Sequence, residues 1–279
     1  MIVDAHHHVW DLAVRDQSWI SDAEKKIRRS FALDDLAPLA ADAGVTATVL
    51  VQTIPVPEET PEFLALAASS DLVAAVTGWI DLTAASARDD LAKLRAGPGG
   101  RALRGIRHPV QGEPDVNWLC RDDVRRGLSA VADAGLVYEL LILPHQLQAA
   151  EQTVAALPHA RFILDHGAKP PIASGQLEPW AGDLRRLAAH PNVTCKLSGL
   201  VTEARWTTWT VEDLRPYVDV LLDAFGPSRL MFGSDWPVSL LAAEYGEVVG
   251  AARQLISALS AMEQDAIFSG TARKTYGLA

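Results

Sequence analysis

The chain of 279 residues has little of what marks several large protein classes. Its two cysteines, Cys120 and Cys195, stand in unrelated surroundings, which excludes a disulfide framework and any CxxC metal or redox motif. No uninterrupted apolar run approaches the roughly 18–20 residues that a membrane-spanning helix needs. The opening Met1-Ile2-Val3 is strand-like and lacks the basic start of a secretory leader. Neither a GxxxxGK[ST] loop nor a GxGxxG turn occurs, so nucleotide phosphates have no cradle. Positive charge is in deficit as well: 25 lysines and arginines face 35 aspartates and glutamates, giving a net charge of −10 that repels nucleic acid. These absences lead to the expectation of a cytoplasmic protein acting on a small molecule, with no membrane or nucleic-acid partner; a homodimer is allowed for. No Pro/Gly/Ser-rich linker divides the chain, so residues 1–279 are expected to form a single domain.

What is present is a soluble globular composition, 49% hydrophobic, arranged in alternating patterns. Strand-like apolar runs fall at residues 2–10, 46–52, 74–81, 102–109, 137–144, 161–166, 192–198 and 229–235. Helical spacing fills intervals such as 34–43, 61–69, 84–96, 122–134 and 211–224. Asp34 and Thr210 stand where an N-cap belongs, and Gly44 and Gly135 where a helix C-cap wants positive φ. Near-continuous apolar strands separated by helices indicate a parallel sheet covered on both faces. Eight such units in this length predict an α/β fold of the (β/α)8 TIM-barrel kind, with a doubly wound open sheet as the rival. Helical stretches at 241–259 and 260–276, the second opened by a Ser260-x-x-Glu263 capping box, are more than one closing unit needs.

The polar residues inside these strands gather at their C-terminal ends: His6 and His8, Gln52, Asp81, Arg104 with Arg107 and His108, Glu139, His166, Lys196 with Ser198, and Asp235. In a parallel barrel those ends share one mouth, where catalytic groups collect. On strand one, alternation puts His6 and His8 on one face and His7 on the other. Two imidazoles so placed can hold a metal ion or a polar substrate atom. Three consecutive histidines near an N-terminus are also what a purification tag or a metal-sticky surface looks like, although this run is flanked by apolar residues.

Five motifs in order, Asp4-Ala5-His6-x-His8-x-Trp10, Arg104-Gly105-Ile106-Arg107-His108, Leu164-Asp165-His166-Gly167-Ala168-Lys169-Pro170, Cys195-Lys196-Leu197-Ser198-Gly199-Leu200 and Phe232-Gly233-Ser234-Asp235-Trp236-Pro237, together resemble the amidohydrolase superfamily. The nearest likeness is to its branch of metal-dependent hydrolases with sugar-acid and pyrone-dicarboxylate lactonases. The resemblance implies an amidohydrolase-type barrel and carries the superfamily's HxH pair onto His6 and His8, its strand-six histidine onto His166 and its strand-eight aspartate onto Asp235. Three neutral nitrogens and one carboxylate suit a single divalent metal, Zn²⁺, with an open position. Binuclear members add a modified lysine or glutamate on strand four and a histidine on strand five; here strand four offers arginines and a histidine, so at most one metal is expected. Some lactonases of the branch work without metal, and the ion is expected to be dispensable in that case.

The expected reaction is ring opening of a sugar-derived aldonolactone of the L-fucono-, L-rhamnono- or galactono-lactone type. Asp235 is the general base, and His6, His8 and His166 bind the metal or the carbonyl oxygen. The enzymatic alternative is hydrolysis of a carboxylated lactone, of the pyrone-dicarboxylate or muconolactone type, or a related decarboxylation. The non-enzymatic alternative is a decayed barrel serving as a scaffold. Arg104 and His108 share parity on strand four and should face the interior; Arg107 has the opposite parity and faces the helix layer or bends into the mouth. His108 is placed in the site; the arginines either grip substrate or form structural salt bridges. Lys196 is either a substrate contact or a buried partner of Glu139 or Asp165. Trp10 and Trp236 are candidates for stacking on a sugar ring, with ordinary packing as the other reading. The segment 203–210 is expected to act as a lid.

Overall fold

β-Branched and aliphatic runs form eight parallel strands in a computed structural model that describes residues 1–278. They are β1 (Ile2–His7), β2 (Val45–Val51), β3 (Val73–Gly78), β4 (Leu103–His108), β5 (Val137–Leu140), β6 (Arg161–Leu164), β7 (Val193–Leu197) and β8 (Leu230–Phe232). Each pairs with the next, in sequence order. The seam between first and last is made where the strands end: His8 N donates to the Trp236 carbonyl at 2.7 Å and Asp235 N to the His6 carbonyl at 2.8 Å. This is the (β/α)8 barrel that the pattern predicts. The ladders are shorter than the apolar runs suggest, so His8, His166 and Asp235 stand just beyond strand ends, where the backbone is free to turn towards the axis.

Helices α1 (Leu33–Ala43), α2 (Glu59–Ala68), α3 (Ala87–Ala96), α4 (Asp122–Asp133), α5 (Leu147–Ala156) and α6 (Trp180–Ala188) cover the outside. The short α7 (Leu200–Glu203) precedes α8 (Val211–Phe225). Thr210 caps α8 in a box with Asp213, and Gly44 closes α1 at φ 79°. Asp34 is not the cap of α1: Ala32 holds that position and the Asp35 carboxylate takes its N–H, because the helix begins two residues before an Asp34 cap would allow.

Two hydrophobic clusters divide the core. One lies between barrel and helices; the other fills the barrel with small aliphatic residues, Val3, Ala5, Val49, Val51 and Ala75 among them. Ala272 and Tyr276 belong to this inner cluster. They come from the surplus C-terminal helix, which is α10 (Ala261–Asp265), a π turn, and α11 (Thr271–Tyr276) after α9 (Tyr245–Leu255). The predicted Ser260–Glu263 box opens α10. The extra helix plugs the end of the barrel opposite the mouth.

Candidate active site

At the mouth, β1 delivers the histidines. A register shift between Asp4 and His7 turns His6 towards the axis although Ala5 also faces it. His6 Nε2 and His8 Nε2 then lie 3.1 Å apart. His8 Nδ1 pairs with the Val51 carbonyl at 2.8 Å; since a carbonyl only accepts, Nδ1 carries a proton and Nε2 is the ring atom turned to the cluster. His7 turns away to Thr48 Oγ1 at 2.9 Å.

Asp235 closes the group. Its Oδ1 is 3.7 Å from His6 Nε2, 3.5 Å from His8 Nε2 and 3.9 Å from His166 Nε2. His166 Nδ1 is bound by Ser198 Oγ at 2.9 Å, which leaves Nε2 for the site. The segment carrying Asp235 is fixed from beneath by buried Asp4, which accepts from Ser234 N at 2.8 Å and from the Tyr245 hydroxyl at 3.0 Å. His166, Ala168, Lys169 and Asp235 have φ of 53°, 60°, 51° and 58°, a left-handed conformation that side-chain-bearing residues rarely adopt. The strain sits on the two strand-end segments that aim catalytic candidates inward.

Burial pulls the His166 imidazole down to about 4 despite Asp235 and Asp165 nearby, and holds His6 well below the usual range, with Lys196 adding to the effect. Burial works against ionised Asp235, but His166, His8 and Lys169 outweigh it and hold the carboxyl below its usual range. The centre is therefore a carboxylate among three imidazoles, of which burial keeps His6 and His166 neutral. Tetrahedral zinc with bonds of about 2 Å has ligand–ligand edges of ~3.3 Å. The separations of 3.1 to 3.9 Å are close to that, and two His/Asp groups of the cluster have ligand atoms within 4.8 Å of one another.

Below the histidines lies a second polar layer, buried, of which Arg107 reaches the pocket wall. Arg107 donates to Asp165 Oδ2 at 3.0 Å, to the Gln52 side-chain oxygen at 3.0 and 3.1 Å and to the Gln52 carbonyl. Lys196 Nζ meets Glu139 Oε2 at 2.5 Å, Asp165 Oδ1 at 3.1 Å and His6 Nδ1 at 3.0 Å. Burial favours a protonated Asp165, yet Lys196, His6 and Arg107 together hold its carboxyl well below the ordinary range.

Above the centre opens a pocket of about 300 Å³, lined among others by His8, Trp19, Arg107, His166, Lys169 and Asp235. Several expected site residues lie elsewhere. Arg104 faces outward at the opposite end of the barrel, beside Arg101, Arg161 and Tyr276. His108 also points outward, stacked on Trp118 at 4.4 Å between centroids and bonded to Trp79 Nε1 and Glu113. The strand-four parity is thus the reverse of the expected one, and Arg107 is the interior residue. Trp10 and Trp236 are packing residues, each at 5.3–5.4 Å from Phe31, and neither lines the pocket. Lys196 takes the buried-pair role and does not line the pocket. The segment 203–210 is fastened: the indoles of Trp206 and Trp209 donate to the carbonyls of Thr202 and Ala242, and Glu203 pairs with Lys169 at 3.6 Å. Sequence reasoning missed Lys169 and did not single out Trp19 among the loop tryptophans. Lys169 stood inside a quoted motif, three residues after His166, and that adjacency was the available signal.

Gly199, at φ 64°, is required by both conformation and space: a Cβ there would stand 2.5 Å from His166 Nδ1 and 3.1 Å from Asp235 Oδ2. Gly199→Ala is expected to displace His166 and lower kcat/KM by about 10²-fold, the cost of an ångström-scale misplacement. Steady-state kinetics beside a thermal melt checks this; an active variant would show that His166 does not need its present position.

The sequence model of the amidohydrolase family matches residues 3–278. An L-fucono-1,5-lactonase from Burkholderia ambifaria is 42% identical over 245 residues, covering 88% of this chain and 83% of its own length. An L-fucono-1,5-lactonase from Burkholderia multivorans is 40% identical over 287 residues, covering 99% and 96%. The crystal structure of an amidohydrolase from Burkholderia multivorans with bound Zn has a TM-score of 0.95 at 38% identity, over 100% of both chains. No helix among the described residues is long and apolar enough to cross a membrane. With a family match over nearly its whole length and two relatives at 40% identity or more, this chain belongs to the amidohydrolase family.

Proposed function

We propose that this protein hydrolyses the ring ester of a sugar-derived aldonolactone of the L-fucono-lactone type, giving the open sugar acid. The observation that carries the reading is the Asp235 carboxylate within 4 Å of three imidazoles, with His8, His166 and Asp235 lining a pocket sized for one small ring. Its support outside the chain is the name that both curated relatives bear.

Ring opening needs a water activated as nucleophile and a carbonyl oxygen stabilised as it gains charge. Asp235, ionised at neutral pH, accepts the water proton. His6, His8, His166 and Asp235 are the residues that would hold a divalent ion, and their donor set fits zinc; such an ion supplies Lewis acidity and eases deprotonation of water. Asp165 and Arg107 shield the histidines from below, and Trp19 flanks the pocket, 5.6 Å from Trp10 in an edge-to-face contact. Lys169, a pocket-lining cation whose one carboxylate partner among the described residues is Glu203 at 3.6 Å, is the contact we assign to the carboxylate that forms when the ring opens.

The carboxylated-lactone alternative loses ground because the pocket has no free guanidinium fork: Arg107 is committed to Gln52 and Asp165, and Arg104 is at the other end of the barrel. A pH-indicator assay over D- and L-aldonolactones, with pyrone-dicarboxylate and muconolactone beside them and run with and without chelator, tests the proposal. Hydrolysis of L-fucono-1,5-lactone or a close stereoisomer is expected. Turnover confined to the carboxylated lactones would overturn it, and loss of activity with chelator, restored by Zn²⁺, would place the ion in the reaction.

A further inference from the structure

On the reading of this chain as an aldonolactone hydrolase, we infer that Gln111 binds a hydroxyl on the side of the ring remote from the carbonyl. It thereby sets the preference for a hydroxylated lactone over a plain one. Gln111 stands in a single 3₁₀ turn, Val110–Gly112, directly after β4. In a closed ring of eight strands paired in sequence order, β4 lies opposite β8. Gln111 follows the end of β4 by three residues and Asp235 follows the end of β8 by three, so the two stand on opposite sides of the mouth. Both line the pocket of about 300 Å³. A ring that presents its carbonyl to Asp235 and the histidines turns its far carbons towards Gln111.

The turn is seated through its backbone. Gln111 N donates to the Leu141 carbonyl at 3.0 Å, and the Val110 carbonyl accepts from Gln146 Nε2 at 2.8 Å. His108, stacked on Trp118 before the turn, pairs with Glu113 beyond it at 2.7 Å. The outward-pointing histidine thus braces the turn although it does not reach the pocket.

The tip of the side chain is uncommitted by contrast. Other polar groups on the pocket wall already have partners: the Thr53 hydroxyl has Glu59, Arg107 has Gln52 and Asp165, and Lys169 has Glu203. His8 and His166 are tied at Nδ1 to Val51 and Ser198, and Ser18 is exposed. Half-buried Gln111 makes no hydrogen bond at either end of its amide among the described residues, and its Oε1 is covered. A covered carbonyl oxygen without a donor is unfavourable. Turning the amide about its last bond, which no hydrogen bond opposes, exchanges Oε1 with Nε2. A ring hydroxyl both donates and accepts, so it satisfies whichever end it meets. The amide is neutral, which suits hydroxyls, while the carboxylate formed on ring opening is left to Lys169.

The experiment compares wild type with Gln111→Met on two lactones. One is L-fucono-1,5-lactone, or the aldonolactone that wild type turns over best; the other is δ-hexanolactone, which keeps the six-membered ring and methyl group but has no hydroxyl. If δ-hexanolactone is not turned over, its inhibition constant as a competitor takes the place of kcat/KM. Gln111→Met is expected to narrow the preference for the hydroxylated lactone about 10-fold, the scale of one lost neutral hydrogen bond. A shifted turn would instead slow both lactones together. An unchanged preference in Gln111→Met, whether or not both rates fall, overturns the inference and leaves the lactonase reading intact. Wild type that takes δ-hexanolactone as well as the aldonolactone overturns it too, and that measurement needs no variant that folds. Wild type that turns over no aldonolactone overturns the lactonase reading itself, and the role of Gln111 with it.

Discussion

Asp235→Asn is expected to lower kcat by about 10²–10⁴-fold, the range over which a positioned general base contributes, with a far smaller change in KM. The substitution keeps the shape of the side chain and removes its ability to take a proton. Folding should be unaffected, because the segment is held through backbone groups: Asp235 N donates to the His6 carbonyl at 2.8 Å and Ser234 N to Asp4 at 2.8 Å. The carboxylate also sits within 4 Å of three imidazoles and lines the pocket, whereas Asp165, the other carboxylate beside His6, does not. Kinetics on the best lactone substrate, beside circular dichroism and a melting curve, checks both halves. A folded Asp235→Asn enzyme with near wild-type kcat would remove Asp235 from the chemistry.

Acid is expected to destabilise the fold steeply, well before its carboxylates are protonated. Burial keeps His7 at about 3 and His166 at about 4, and holds His6 well below the ordinary value, while all three regain pKa values near 6.5 when unfolded. The unfolded chain thus binds protons that the folded one refuses. The stability conferred by keeping these rings neutral is full above pH 6.5 and is lost as pH falls from there towards the folded values. Each proton taken up only on unfolding gives a slope of about 1.4 kcal/mol per pH unit. Asp165 and Asp235, held low, add losses only below about pH 4, whereas Asp4 and Glu59, raised by burial, act in the opposite sense as pH falls from their raised folded values towards about 4. Between pH 6.5 and 5 the histidines therefore dominate. Urea unfolding from pH 8 to 4.5 should show a plateau above 7 and a decline below 6.5; constant stability down to pH 5 would mean that the rings are hydrated or charged in the folded protein.

Much of this was legible in the residues, for physical reasons that also explain what was not. A barrel strand buried on both faces is apolar along its length, so the eight strands and their order stood out, and the polar residues at their ends marked the mouth. Parity fails on strand four because alternation alone does not say which face is inward, and Arg104 and His108 need a reference residue. Gly105 was that reference: the barrel interior takes small side chains, and a Cβ at Gly105 would stand 2.7 Å from Thr77 Oγ1. With Gly105 inward, Arg107 follows and Arg104 and His108 do not. The tryptophans misled because an aromatic just past a strand end serves packing as well as stacking, and only the contacts of Phe31 distinguish the two. The pairing of Lys196 with Glu139 or Asp165 was one of the two sequence readings and is the one the structure shows; that Tyr276 joins Glu139 from the C-terminal helix no spacing reveals.

The seam between first and last strands carries one more implication. The bonds that join β1 to the end of β8 span some 230 positions, Ser234 N to Asp4 being one, and they are the same bonds that bring Asp235 to His6 and His8. Long-range pairings form late, after the local units have condensed. A chain folded through β7 has all three histidines and no base, and a finished barrel whose seam opens briefly loses its reaction geometry before anything else. Turnover in this enzyme is in effect a gauge of ring closure: refolding followed by activity should lag refolding followed by helix content.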